Sequence, residues 1–146
     1  MVKYQIYTIF EKSKDIYNVY IGSTKQGLKR RVGKHLTDMR MFLGLTDKGY
    51  RNYRSSFDVL VTDKYKCQVI DSIDTDNQND VFELESMYIL KYLDDCNVNI
   101  VNKMIPNSKT RKKIKYDFSN LNNINFNKDC EYNINKDCSQ LHNKDN

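Results

Sequence analysis

The sequence is poor in the residues that mark several protein classes. Its 146 residues include one proline, five glycines, four cysteines and no tryptophan. This composition excludes a collagen-like chain and a small disulfide scaffold. No hydrophobic run is long enough to cross a bilayer, and the uncharged stretch from Tyr4 to Phe10 is too short for the core of a secretion signal. We therefore expect an intracellular protein, in the cytoplasm or nucleus, that is neither secreted nor membrane-bound.

The cysteines do not have the spacing of a zinc site. Cys67, Cys96, Cys130 and Cys138 form no closely spaced pair, and the chain has only two histidines. Structural zinc sites need four ligands at short, recurring spacings. Cys67 and Cys96 fall on apolar faces, so we expect both to be small core residues in a reducing compartment.

Charge is distributed unevenly along the chain. The formal net charge is +5, but residues 1–54 carry a net +8, residues 55–106 a net −6 and residues 107–146 a net +3. A basic first segment beside an acidic second one indicates that a polyanionic partner should be considered.

The composition changes near Pro106. Of the 17 asparagines, 13 lie at or after Asn97, and an eight-residue near-repeat begins at Asn127. We expect a domain over residues 1–106 and an Asn/Lys-rich tail over 107–146. The tail is expected to be mostly disordered, since it has too little apolar surface to offset its ordering entropy. The basic run from Lys109 to Lys115 fits a phosphate-binding arm, a nuclear signal or a plain solvated linker.

The first 106 residues show an alternation of strand and helix patterns. The predicted elements are strands at 4–10 and 16–21, a helix at 27–42 preceded by a Ser23–Gln26 capping box, an ambiguous segment at 50–64, a strand at 67–73, a helix at 81–93 and a short extended or turning segment at 97–104. This order predicts an α/β or α+β domain with a small, antiparallel sheet.

The first helix carries two polar residues at the edge of its apolar face. Arg31 and His35 are four residues apart and border the stripe formed by Val32, Leu36 and Met39. A structural interpretation is available, in which Arg31 extends its charge to solvent and His35 is a hydrogen-bonded boundary residue. A functional interpretation places both residues in a site.

The second helix repeats this pattern with a carboxylate. Glu85 lies at the rim of the apolar stripe, whereas Glu83 points away from it. A carboxylate drawn toward a core is costly unless something pairs with it. The candidate partners are a metal ion such as Mg²⁺, Arg31 or a tyrosine hydroxyl.

These residues, in this order, resemble the GIY-YIG nuclease superfamily. The resemblance covers roughly residues 3–104 and is closest to small stand-alone members from large DNA viruses and mobile elements. The matching elements are Gln5-Ile6-Tyr7, Tyr20-Ile21-Gly22 followed by Ser23-Thr24, Arg31 with His35, Glu85-Ser86-Met87-Tyr88-Ile89, and Val101-Asn102.

The resemblance implies a fold and an activity. The fold is a three-stranded antiparallel sheet flanked by helices, and the activity is metal-dependent, one-metal hydrolysis of DNA phosphodiester bonds. Glu85 would bind a single Mg²⁺ or Mn²⁺, and Arg31 would stabilise the developing charge. Tyr7 or Tyr20 would orient or deprotonate the attacking water, with His35 as the other candidate base, and Asn102 would position a side chain or a phosphate. No small-molecule cofactor is implied.

Basic residues on or beside the first helix are candidates for tracking the nucleic-acid backbone. They are Lys25, Lys29, Arg30, Lys34 and Arg40. Since no separate DNA-reading motif is recognisable, low intrinsic sequence specificity is expected.

Two alternatives to an active nuclease remain. Gln5 stands where the first motif usually has glycine, which is the only hint of an inactive nucleic-acid-binding module with the same fold. The other alternative is an RNA-binding or structural protein with a chance set of motifs.

Overall fold

A computed structural model describes residues 1–46, 52–106 and 118–127 of the chain. The fold is α+β, as the sequence predicts, and the helices flank a single sheet. The elements in chain order are β1 (Val2–Ser13), β2 (Ile16–Thr24), α1 (Leu28–Phe42), α2 (Phe57–Leu60), β3 (Lys66–Thr75), α3 (Gln78–Leu93) and β4 (Val98–Ile100).

The sheet is mixed and has four strands in the order β3-β1-β2-β4. Strand β1 pairs antiparallel with both β2 and β3, whereas β4 pairs parallel with β2 over Tyr17–Val19. The prediction of three antiparallel strands is therefore wrong in strand number and in the direction of the last pairing. A three-residue strand has too few residues to show a period in the sequence, and its partner is 81 residues away.

The two long helices pack on opposite faces of the sheet. Because side chains alternate along a strand, Tyr7 and Ile9 of β1 face α1, whereas Ile6 and Phe10 face α3. Each face has its own core: Val32, Leu36 and Met39 of α1 occupy one, and Val81, Tyr88, Ile89 and Tyr92 of α3 occupy the other.

The start of α1 differs from the prediction. The helix is capped by Gly27, whose φ of 91° favours glycine, and no side chain caps it. Thr24 Oγ1 accepts a hydrogen bond from the backbone N–H of Gln26. The expected Ser23–Gln26 capping box is wrong, because the Ser23 hydroxyl is directed toward Glu85 on α3 instead.

Residues 118–127 extend the packed structure past Pro106. Ile124 is buried in the core beneath α3, and the ring of Phe126 stacks on Tyr17 of β2 at a centroid distance of 4.0 Å. The rest of the predicted tail lies outside the described residues, including the Lys109 to Lys115 run, most of the eight-residue near-repeat, Cys130 and Cys138.

The two described cysteines have different environments. Cys67 is buried in the core, as predicted, whereas Cys96 is exposed just after α3. The expectation of a core position for Cys96 is therefore wrong, because the helix ends at Leu93 and the apolar face does not continue to residue 96. Across the described ranges, no helix combines the length and the apolar character needed to cross a membrane.

Candidate active site

Tyr7 lies at the centre of the candidate site and is fully buried. It faces Gly22 across the β1–β2 pair. A Cβ on Gly22 would come within 2.5 Å of the Tyr7 hydroxyl and 2.6 Å of the ring carbon that bears it. The last residue of the Tyr20-Ile21-Gly22 motif must therefore be glycine, because the phenol of Tyr7 occupies the space where a side chain would be.

The Tyr7 hydroxyl is held by two residues of α1. It lies 2.8 Å from Nε2 of His35, and it accepts a hydrogen bond from Nε of Arg31 at 3.4 Å. On the other side of the imidazole, the Ser56 hydroxyl lies 2.8 Å from Nδ1 of His35. The i, i+4 pair at the edge of the apolar stripe thus converges on one phenol.

His35 is a neutral imidazole in the folded protein. It is 2% exposed, and burial lowers its pKa to about 3, with further lowering by the positive charges of Arg31, Arg54 and Lys34. A neutral imidazole has one N–H and one acceptor nitrogen, and the hydroxyls on its two sides satisfy either tautomer.

Both tyrosines of the site are protonated near neutral pH. Burial raises the pKa of Tyr7 well above its ordinary value, and Tyr20 raises it further, while Arg31 lowers it. Burial and the nearby Glu85 carboxylate raise the pKa of Tyr20. The Tyr20 ring lies 5.4 Å from the His35 ring and 6.3 Å from the Tyr7 ring, centroid to centroid.

Glu85 approaches this group from α3. Its side chain is 9% exposed, and its Oε2 accepts a hydrogen bond of 2.8 Å from Ser23 Oγ. Burial raises the pKa of Glu85 to about 7, although the Ser23 hydrogen bond and the charge of Arg31 both lower it. The carboxylate is therefore close enough to Arg31 for their charges to interact.

The structure narrows the candidate partners of Glu85. Within the described residues, the hydrogen-bond partner of Glu85 is Ser23. Arg31 donates its hydrogen bond to Tyr7 instead, and its influence on Glu85 is through its charge. No cluster of three or more His, Cys, Asp or Glu side chains suited to a metal occurs in the described parts of the chain. A single hard carboxylate completed by waters and substrate phosphate is nevertheless a usual Mg²⁺ arrangement, so the donor chemistry fits Mg²⁺ or Mn²⁺ better than zinc.

A cleft of about 330 Å³ opens beside Glu85. Tyr20 and Glu85 line it, whereas Tyr7 and His35 lie behind its wall. The cleft is also lined by Tyr53, Arg54, Asn102 and Lys103.

Asn102 fixes the strand that carries Tyr20. Its Oδ1 accepts a hydrogen bond from the backbone N–H of Ile21 at 3.0 Å, and its Nδ2 donates to the Ile21 carbonyl at 2.8 Å. The contacts of Asn102 are therefore with the backbone between Tyr20 and Gly22, whereas from the sequence it was expected to position a side chain or a phosphate.

Sequence reasoning missed several polar residues of the site. Ser23 follows the second motif directly and is a recognisable neighbour of it, but Arg54 and Ser56 lie in the segment whose pattern is ambiguous. Arg54 is 52% exposed, lines the cleft and forms a 3.5 Å ion pair with Asp38. No sequence signal identifies Arg54 or Ser56, because only the packing of α2 beside α1 brings them to His35.

The predicted backbone-tracking residues are mostly on the surface. Lys25, Lys29, Arg30 and Lys34 are exposed, whereas Arg40 is half-buried. The basic residues of α1 beside Arg31 are therefore accessible to a polyanion.

Gln5 does not strain the backbone. It lies inside β1 and has no positive φ, so the glycine usual at this position is not required conformationally. Its side-chain Oε1 is buried and has no hydrogen-bond partner within the described residues.

Comparison of the chain with models of known protein families, with curated proteins and with solved structures found no match.

Proposed function

We propose that this protein is a metal-dependent endonuclease that hydrolyses DNA phosphodiester bonds by a one-metal mechanism with low intrinsic sequence specificity. The observation that carries the proposal is the convergence of polar side chains from four elements, of which Tyr20 and Glu85 line the cleft. Tyr7, Tyr20, Arg31 with His35, and Glu85 come from β1, β2, α1 and α3 respectively. This proximity supports the proposal over a chance set of motifs.

Glu85 is the residue that would hold the metal ion. When bound, Mg²⁺ or Mn²⁺ supplies positive charge to the scissile phosphate and the leaving oxygen. The buried carboxylate has a pKa of about 7, so a cation beside it would favour the ionised form. Ser23 holds one carboxylate oxygen and so orients the side chain.

Arg31 supplies the fixed positive charge. It is half-buried, it is oriented by Tyr7, and its charge already reaches Glu85, which lines the cleft. Removing such a preorganised donor typically costs about 10²–10³ in rate.

The two tyrosines and His35 have different roles toward the attacking water. Tyr20 borders the cleft and, being protonated near neutral pH, is placed to orient the attacking water through its hydroxyl, whereas Tyr7 and His35 are buried. Tyr7 holds the site together from behind, since its hydroxyl lies against His35 and Arg31. Tyr20 therefore acts at the water, and the rings of Tyr7 and His35 pack against the Tyr20 ring and position it.

The test is cleavage of supercoiled plasmid DNA in the presence of Mg²⁺ or Mn²⁺. Wild-type protein should nick or linearise the plasmid, EDTA should abolish cleavage, and Glu85→Gln and Arg31→Ala should each lower the rate by at least about 10². Glu83→Gln is the matched control on the same helix and should retain the activity.

Three results would count against the proposal. Unchanged cleavage by Glu85→Gln would show that the catalytic assignment is wrong. DNA binding without cleavage by wild-type protein would identify the inactive binding module, for which Gln5 in place of the usual glycine is the sequence hint. No affinity for DNA at low salt, where phosphate contacts are strongest, would leave an RNA-binding or structural protein.

A further inference from the structure

A second basic concavity lies at the hairpin end of the sheet, away from the candidate active site. It has a volume of about 380 Å³, and Lys12, Lys64 and Lys66 line it. Lys12 is five residues beyond Tyr7 on β1, which places it roughly 17 Å along the strand at about 3.3 Å per residue. This concavity is therefore separate from the cleft beside Glu85.

The lysines stand around an aromatic wall. Phe10, Tyr17 and Phe126 form this wall, with Phe126 stacked on Tyr17 and edge-on to Phe10. The ammonium group of Lys12 lies 5.8 Å from the centroid of the Tyr17 ring. The Tyr17 ring thus supports Lys12, and all three lysines line the same small concavity.

The concavity is positively charged overall. Glu11 is the one acidic side chain among the described residues that line it, and its Oε1 already accepts a hydrogen bond from Asn18 at 2.6 Å. Three ammonium groups against one engaged carboxylate leave a net positive field that attracts anions.

The site faces away from the basic surface of α1. Lys12 lies two residues after Phe10 and so projects from the face of the sheet that carries α3, whereas α1 covers the other face. A nucleic-acid backbone running along Lys29, Arg30 and Lys34 would have the sheet between it and this concavity.

We propose that Lys12, Lys64 and Lys66 form a second phosphate-binding site, which holds a further stretch of nucleic-acid backbone on the α3 side of the sheet. This inference rests on the proposed nuclease function, since it takes DNA as the partner. The backbone comes either from the same duplex, bent around the hairpin end, or from a second arm of a branched substrate.

The test measures DNA binding by fluorescence anisotropy in a Glu85→Gln background, which keeps the DNA intact. The triple variant Lys12→Gln, Lys64→Gln and Lys66→Gln is compared with the triple Lys→Arg variant, which keeps the charges. Lys3→Gln, at the other end of β1, is the control for loss of one exposed lysine. The probes are a 40-base-pair linear duplex and a four-way junction, each titrated with salt.

The Lys→Gln triple should bind about ten- to a hundredfold more weakly near 0.1 M salt, and its log–log salt slope should be shallower by about 2–3. The Lys→Arg triple and Lys3→Gln should bind like the parent. Weakening on both probes identifies the same duplex as the source of the second contact, and weakening on the junction alone identifies a second arm.

Equal binding by the Lys→Gln triple and its parent on both probes would overturn the inference while leaving the nuclease proposal intact. No binding by the parent itself at low salt would overturn both. Melting temperatures of all variants, measured by circular dichroism, separate loss of contacts from loss of fold.

Discussion

The phenol of Tyr7 lies directly against Gly22, so that a Cβ on the glycine would approach the Tyr7 hydroxyl to 2.5 Å. The two residues face each other in the β1–β2 pair, and the same hydroxyl contacts His35 and Arg31. A change at Gly22 must therefore displace the residue on which both α1 side chains converge.

Gly22→Ala should destabilise the fold by about 1–3 kcal/mol, the usual cost of overpacking, and should lower any cleavage rate at least tenfold. Gly33→Ala is the matched control, because nothing lies within 4 Å of a Cβ there. Since Gly33 is inside α1, alanine should stabilise the helix by roughly 0.5–1 kcal/mol. Thermal unfolding of the two variants measures both effects, and a Gly22→Ala protein as stable and active as wild type would contradict the geometry.

The pH dependence of cleavage should follow Glu85. Because its pKa is raised to about 7, protonation should compete with the metal ion, and the rate should fall below neutral pH. Raising the Mg²⁺ concentration should move this acid limb to lower pH. Rates measured from pH 5 to 9 at two metal concentrations test the prediction, and an acid limb that ignores the metal concentration would refute it.

Glu85→Gln should make the protein more stable at alkaline pH. The folded pKa of about 7 lies above the usual value of 4.5, so the favourable contribution of the protonated carboxyl is lost as the pH rises through 7. Replacement by glutamine removes this loss, so the free energy of unfolding of the variant should exceed that of wild type by on the order of 1–3 kcal/mol at pH 8.5 and by little at pH 4. Urea unfolding at the two pH values measures the difference, and an equal gain at both pH values would contradict the prediction.

His35 should give stability the opposite pH dependence. Its folded pKa of about 3 lies below the usual 6.5, so between these pH values the imidazole is protonated in the unfolded chain and neutral in the folded protein. The free energy of unfolding therefore decreases as the pH falls from 6.5 toward 3. In a Glu85→Gln background, adding His35→Asn should flatten the decline in unfolding free energy by up to about 1.4 kcal/mol per pH unit. An equal decline with and without His35 would show that the imidazole is not held neutral.

Asn102→Ala should release the end of β2 that carries Tyr20. The substitution removes two hydrogen bonds to the backbone of Ile21 and leaves partly buried polar groups without partners, which typically costs about 1–3 kcal/mol. Asn99→Ala is the comparison, since among the described residues its exposed side chain bonds Asn18, and the substitution should cost under about 0.5 kcal/mol. Similar losses for the two variants would argue against a special role for Asn102.

Local patterns were sufficient to predict most of the elements. The first strand of the hairpin is rich in β-branched and aromatic residues, β3 alternates into an apolar run, and α1 and α3 have a helical period, so only the ends of these elements differ from the structure. The positions of Arg31, His35 and Glu85 at the edges of apolar stripes also follow from helical geometry, which is why single residues of the site could be named before the fold was known.

Other features depend on residues that are far apart in the chain. The parallel pairing of β4 with β2, the contact of Ser56 with His35 and the hydrogen bond from Ser23 to Glu85 join segments 21 to 81 positions apart. No local pattern encodes such contacts, and for that reason the sheet was predicted with too few strands and Ser23 was assigned to a helix cap.

The sequence by itself determined a basic α+β chain whose two main helices each bring a charged residue to the edge of the core. The tertiary structure decided that Arg31 contacts Tyr7, that Glu85 is held by Ser23, and that Lys12, Lys64 and Lys66 share one concavity. The physical reason is that helix and strand periods set the direction of a side chain within its own element, whereas its partners are set by which elements the sheet brings together.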